Sequence, residues 1–149
     1  NQINKVCRSL GAKVRDIKKA RALKLGLKNL LDIYNTKIQP IIDYGITIWG
    51  TVPKYQIDRI QRQQNFIGRL MTNNFDYINV RGAEILKNLG IMTIQERIRY
   101  FETILTFKNI HKMSPPYLHN QIVMRSEVAS RNLRNTHNLD LHYPCEISF

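Results

Sequence analysis

Apolar residues recur along this chain at the spacing of helices. Ile3, Cys7, Leu10, Val14 and Ile17 are four and three residues apart. At 100° per residue they share one face of a first helix. Leu27, Leu30, Leu31, Tyr34 and Ile38 mark a second helix after Gly26. Pro40 lacks an amide hydrogen and is expected to kink or end that run. The stretch from Ile41 to Trp49 can resume as helix or extend, and helix is the expectation because both neighbours are helical. Thr51 and Pro53 read as a cap and an early-turn proline. A third long helix then runs to about Met71 and buries Ile57, Ile60, Ile67 and Met71, with Gln64 in the middle of the apolar face. That position predicts an amide hydrogen-bonded between helices, since an unpaired buried amide is costly.

Asn73 and Asn74 mark a loop. A short helix near Val80 to Leu89 ends at Gly90, a C′ glycine. Thr93 and Glu96 have the spacing of a capping box. They open a helix with Ile94, Ile98, Phe101 and Leu105 on one face. Ser114-Pro115-Pro116 stops it, before a short turn through Tyr117 and Leu118. From about Arg125 the periodicity fades. The prediction is an all-α bundle of four or five helices over residues 1–124, followed by an irregular tail over 125–149.

Composition narrows the class. With 43% hydrophobic and 23% charged residues the chain is globular, not disordered. Its 149 residues suffice for one domain. It begins at Asn1, not Met, and is expected to be a fragment, an excised domain or a processed product. No secretory signal, no apolar run of membrane-spanning length and no Asn-x-Ser/Thr acceptor is present. The expected location is intracellular, in the nucleus, the cytoplasm or both, without membrane contact. Cys7 and Cys145 are expected to be reduced thiols.

Charge adds a partner. The net charge is +12, which points to a polyanion, nucleic acid or an anionic surface. Residues 1–39 carry 10 Lys/Arg against 2 Asp/Glu, whereas residues 114–149 carry 3 against 3. Lys5, Arg8, Arg15 and Lys19 project opposite the apolar stripe of the first helix. They are the leading candidates for contact with RNA, DNA or an RNA–DNA hybrid. Arg59, Arg62 and Arg69, opposite the apolar face of the third helix, form a second candidate surface, with a solvated face as the competing reading.

Candidate chemistry is sparse. No two acidic residues are adjacent anywhere, so the paired carboxylates of a two-metal polymerase site are absent from this chain. Phe75-Asp76-Tyr77 echoes a polymerase motif but lacks a second Asp. No glycine-rich phosphate loop is present. His137, His142 and Cys145 are compactly spaced but fall short of the four ligands of a closed zinc site. No catalytic residue, metal site or cofactor is therefore expected in this piece.

The run from Ile33 to Gly50, IYNTKIQPIIDYGITIWG, resembles the segment after the palm in reverse transcriptases of Jockey-like non-LTR retrotransposons, through Tyr34, Pro40, Tyr44, Trp49 and Gly50. The likeness continues through Ile60, Gln61, Arg62, Gln64 and Asn65, then Leu89, Gly90, Glu96 and Arg97, the PPYL run ending at Leu118, and NLRN from Asn132. Gln63 departs from it, since an apolar residue is commoner there, and Cys145 alone does not make a cysteine-rich tail. The resemblance implies thumb helices of an RNA-directed DNA polymerase, which grip the template–primer duplex beside the palm and fingers. It implies Mg²⁺ only for the palm. The competing reading is a domesticated or decayed helical interaction module that binds protein or anionic surfaces.

Overall fold

The computed structural model describes residues 2–120. Every regular element among them is helical. The chain divides into two compact units, one through Glu102 and one from Thr103. In order, the helices are α1 (Gln2–Ala22), α2 (Leu27–Ile33), a π-helical turn (Tyr34–Ile38), α3 (Gln39–Asp43), α4 (Ile46–Trp49), α5 (Lys54–Thr72), α6 (Gly82–Asn88), α7 (Ile94–Ile110) and α8 (Pro116–His119).

The first unit holds the core. Ile3, Leu10 and Ile17 of α1 pack with Tyr34, Ile38 and Ile42, with Ile60 and Ile67 of α5, and with Leu86, Ile94 and Ile98. The predicted stripe of α1 is thus the buried one, with Val14 at its margin. Leu27, in the predicted stripe of the second helix, is instead exposed where α2 begins.

Residues 27–43 form one continuous helical run through Pro40. Its buried residues, Leu30, Tyr34, Ile38 and Ile42, are each four apart. Such a stripe drifts off one face of a regular 3.6-residue helix. The π turn at 34–38 holds an extra residue per turn and brings the stripe back. The same widening removes the steric conflict that Pro40 would create in an α-helix, because the Gln39 amide hydrogen bonds Tyr34 instead of a nearer carbonyl. The run ends at Tyr44, whose backbone is extended.

Thr51 does not cap α5. Its hydroxyl donates to the Ile48 carbonyl at 2.9 Å, and Pro53 occupies the cap position without a side-chain bond. Gly50 is required by space: a Cβ there would lie 2.5 Å from the Ile46 carbonyl and 3.1 Å from Ile98.

α6 ends as predicted. Gly90 has φ +68°, its amide donates to Lys87, and the Ile91 amide donates to Leu86 at 2.9 Å. This is a Schellman end. The capping box also forms. The Thr93 amide donates to the Glu96 carboxylate at 2.8 Å, and the Glu96 amide donates to the Thr93 hydroxyl at 3.3 Å. In the second unit, Phe107 and His111 stack at 4.2 Å between ring centroids, and Leu105 is 39% exposed. The predicted tail falls outside the described residues.

Candidate nucleic-acid interface

α1 is polarised by its burial. With Ile3, Val6, Leu10 and Ile17 in the core, the opposite side must face water. Lys5, Arg8, Arg15 and Lys19 are all exposed there. Helix stability does not account for Lys5, Arg8 and Arg15, whereas Lys19 lies in the last turn, where the helix dipole favours a cation. Lys5 and Arg8 are three apart and Arg15 and Lys19 four apart, so each pair repels at the cost of a few tenths of a kcal/mol. Lys5 also sits at the N-terminal end, where the helix dipole disfavours a cation. The acidic residue of α1, Asp16, pairs with Lys13 at 3.4 Å.

α5 lies beside α1 and runs parallel to it. Arg59, near the start of α5, donates to the Asn4 side chain at 3.2 Å. Arg21, at the end of α1, donates to Asn73 at 2.7 Å. One polar tie at each end fixes the register. It also sets exposed Arg59 beside the Asn4–Arg8 turn, so that a residue predicted on a separate surface adjoins the basic face of α1. Arg62 is exposed and donates to the Asp58 carbonyl of its own helix at 3.3 Å.

Arg69 corrects the prediction. It is 4% exposed and does not share the solvent face of Arg62. The chain after α5 reverses at Asn73, which has φ +57°, and folds back over the last turn. Arg69 there donates to the carbonyls of Asp76 at 2.8 Å and Val80 at 2.6 Å. It is a structural residue, already committed to these carbonyls and closed to phosphate.

Several positions that resemble the polymerase family also prove structural. Gln64 is fully buried. Its amide donates to the Tyr34 hydroxyl at 2.8 Å and to the Met92 carbonyl at 2.9 Å. Its oxygen accepts from Gln61 at 2.9 Å. Gln61 also donates to Asn65 at 2.8 Å and accepts from the Ile94 amide at 2.8 Å. The network ties the start of α7 to the middle of α5 and to the π turn. Burial raises the Tyr34 pKa above the ordinary tyrosine value, and the Gln64 bond partly offsets this. Arg97 of α7 makes a two-pronged ion pair with Asp43 of α3. The Gln39 oxygen, turned toward the guanidinium, accepts from it at 3.1 Å. The Asp43 bond raises the Arg97 pKa further. Sequence spacing alone offered no sign of this pair, 54 residues apart.

An apolar groove of about 650 Å³ opens between the start of α1 and α4, lined by Gln2, Ile3, Tyr44, Gly45, Ile48, Trp49 and Val52. Among the described residues, no group of three or more His, Cys, Asp and Glu could hold a metal ion. His137, His142 and Cys145 lie outside them. No helix among the described residues is long and apolar enough to cross a membrane.

No protein-family model matches the chain, and no solved structure does. Two curated proteins of Drosophila melanogaster are similar to parts of it. The probable RNA-directed DNA polymerase from transposon X-element is 31% identical over 103 residues, covering 62% of this chain and 11% of that protein. The probable RNA-directed DNA polymerase from transposon BS is 38% identical over 66 residues, covering 44% of this chain and 7% of that protein. The chain therefore spans about a tenth of the length of these relatives, and it is related to a short segment of transposon RNA-directed DNA polymerases.

Proposed function

We propose that this chain is the thumb-side segment of a Jockey-like retrotransposon reverse transcriptase and that it grips the template–primer duplex. The observation that carries the reading is the exposed basic face of α1, Lys5, Arg8, Arg15 and Lys19, extended by Arg59. It faces outward on a helix whose other side is core, and Lys5 and Arg8 repel each other near the start of that helix. A phosphate backbone is the fitting partner, because each contact releases condensed counterions. The relatives, named as RNA-directed DNA polymerases, support the nucleic-acid partner. The polymerase carboxylates and their Mg²⁺ would belong to the palm of the parent protein, which this segment would adjoin.

The test replaces Lys5, Arg8, Arg15 and Lys19 together by Gln and titrates an RNA–DNA hybrid at several salt concentrations. Removing one side chain that meets a phosphate should lower the salt slope by about one unit. The variant is expected to bind much more weakly at low salt, with a flatter slope and an unchanged circular dichroism spectrum. A folded variant that keeps its affinity and slope would refute the reading.

The apolar groove favours a second reading, a helical module that takes an apolar side chain of a protein partner. In that case wild type and variant would bind the hybrid equally weakly.

A further inference from the structure

The loop between α5 and α6, residues 73–81, is tightly organised yet presents apolar side chains to solvent. Arg69 holds it from beneath through the Asp76 and Val80 carbonyls. Asp76 organises it from within: its carboxylate accepts from the amides of Ile78 at 3.0 Å and Asn79 at 2.9 Å, and from the Asn79 side chain at 2.8 Å. The Asp76 amide donates to the Asn74 side chain at 3.0 Å. The motif echo Phe75-Asp76-Tyr77 is thus a turn whose carboxylate is already engaged.

On this frame Tyr77 is 65% exposed and Ile78 93%. The Arg69 guanidinium lies over the Tyr77 ring, 4.3 Å from its centroid. One ring face is therefore held, and the exposure leaves the other open to water. A ring fixed this way loses little freedom when a flat partner stacks on it. The loop starts beside the C-terminal end of α1, where Asn73 accepts from Arg21. From Lys5 to Lys19 α1 rises about 21 Å toward that end.

We propose that the 73–81 loop is a stacking platform for an unpaired base, with Tyr77 as the contact ring. It would receive the single strand that continues from a duplex held on α1. The proposal rests on the nucleic-acid reading above and names a further element of the same surface. Stacking on an aromatic side chain is sequence-tolerant, because every base has a flat face.

The experiment uses the whole chain and two probes: a blunt RNA–DNA hybrid, and the same hybrid with a short single-stranded overhang carrying 2-aminopurine. Wild type should bind the overhang probe about tenfold more tightly than the blunt one and quench the 2-aminopurine. Tyr77→Ala should lose both the preference and the quenching, with blunt-hybrid affinity and salt slope unchanged. Tyr77→Phe should keep them. The wild-type quenching reads stacking without any substitution. Equal binding of both probes by wild type, or a preference that survives in Tyr77→Ala, would overturn the platform while leaving the basic face standing. The first of these results would also follow if the loop served a protein partner. Failure of wild type to bind either probe would overturn the nucleic-acid reading and the platform together.

Discussion

Gln64 shows how a polar residue can define a core. Its amide has partners on three sides, in the π turn, the segment before α7 and its own helix. Replacing it by Leu keeps the volume but leaves the Tyr34 hydroxyl, the Met92 carbonyl and Gln61 short of partners. Each such group costs about 1–3 kcal/mol when buried. Gln64→Leu is therefore expected to destabilise the fold by about 3 kcal/mol, measured by urea denaturation. A change within about 0.5 kcal/mol would show that water reaches these groups. Arg69 makes the complementary case, because its charge organises the following loop instead of meeting solvent.

At the scale of elements, the capping box of α7 gives a pH-dependent prediction. The Thr93 amide and hydroxyl hold the Glu96 carboxylate below the usual carboxylate range. Its folded pKa is thus lower than its unfolded one. Stability from this group is present above the unfolded value and is lost as pH falls through the folded value. Glu96→Gln should lower stability slightly at neutral pH and remove part of the acid sensitivity below the ordinary glutamate pKa. Thermal melts of both proteins across that window check this, and identical pH profiles would refute it. Gly90 and Thr93 lie close together in the α6–α7 connection, so two local signals set the turn.

At the scale of the whole molecule, charge and chemistry separate. The net charge of +12 is concentrated in residues 1–39, mainly on α1, while no adjacent acidic pair occurs along the chain. The chain alone is therefore expected not to extend a primer on an RNA template with Mg²⁺ and nucleotides. Incorporation above a no-protein control would contradict this. The groove beside α4 is electrically different from the basic face, with no charged residue among its lining. The two surfaces suit different partners, phosphate for one and apolar side chains for the other.

Helical periodicity determined the all-α class and the buried face of α1, and cap residues determined the α6 stop at Gly90 and the α7 start after Thr93. These are local effects, in which a stripe, a left-handed glycine or a cap acts within a few residues. The outward face of Lys5, Arg8, Arg15 and Lys19 followed from the same stripe, because burying one side of a helix exposes the other. Tertiary structure decided what depends on distant chain. The helical wheel put Arg69 and Arg62 on one side of α5, and only the return of residues 73–81 over the last turn buried one of them. The parallel register of α1 and α5, which brings Arg59 to Asn4, and the pairing of Asp43 with Arg97 likewise join residues more than 50 positions apart. Pro40 stayed within a helix because the four-residue stripe and the core around Tyr34 favoured a π turn over a break. Local propensity describes what a segment prefers alone, and these outcomes were set by what packed against it.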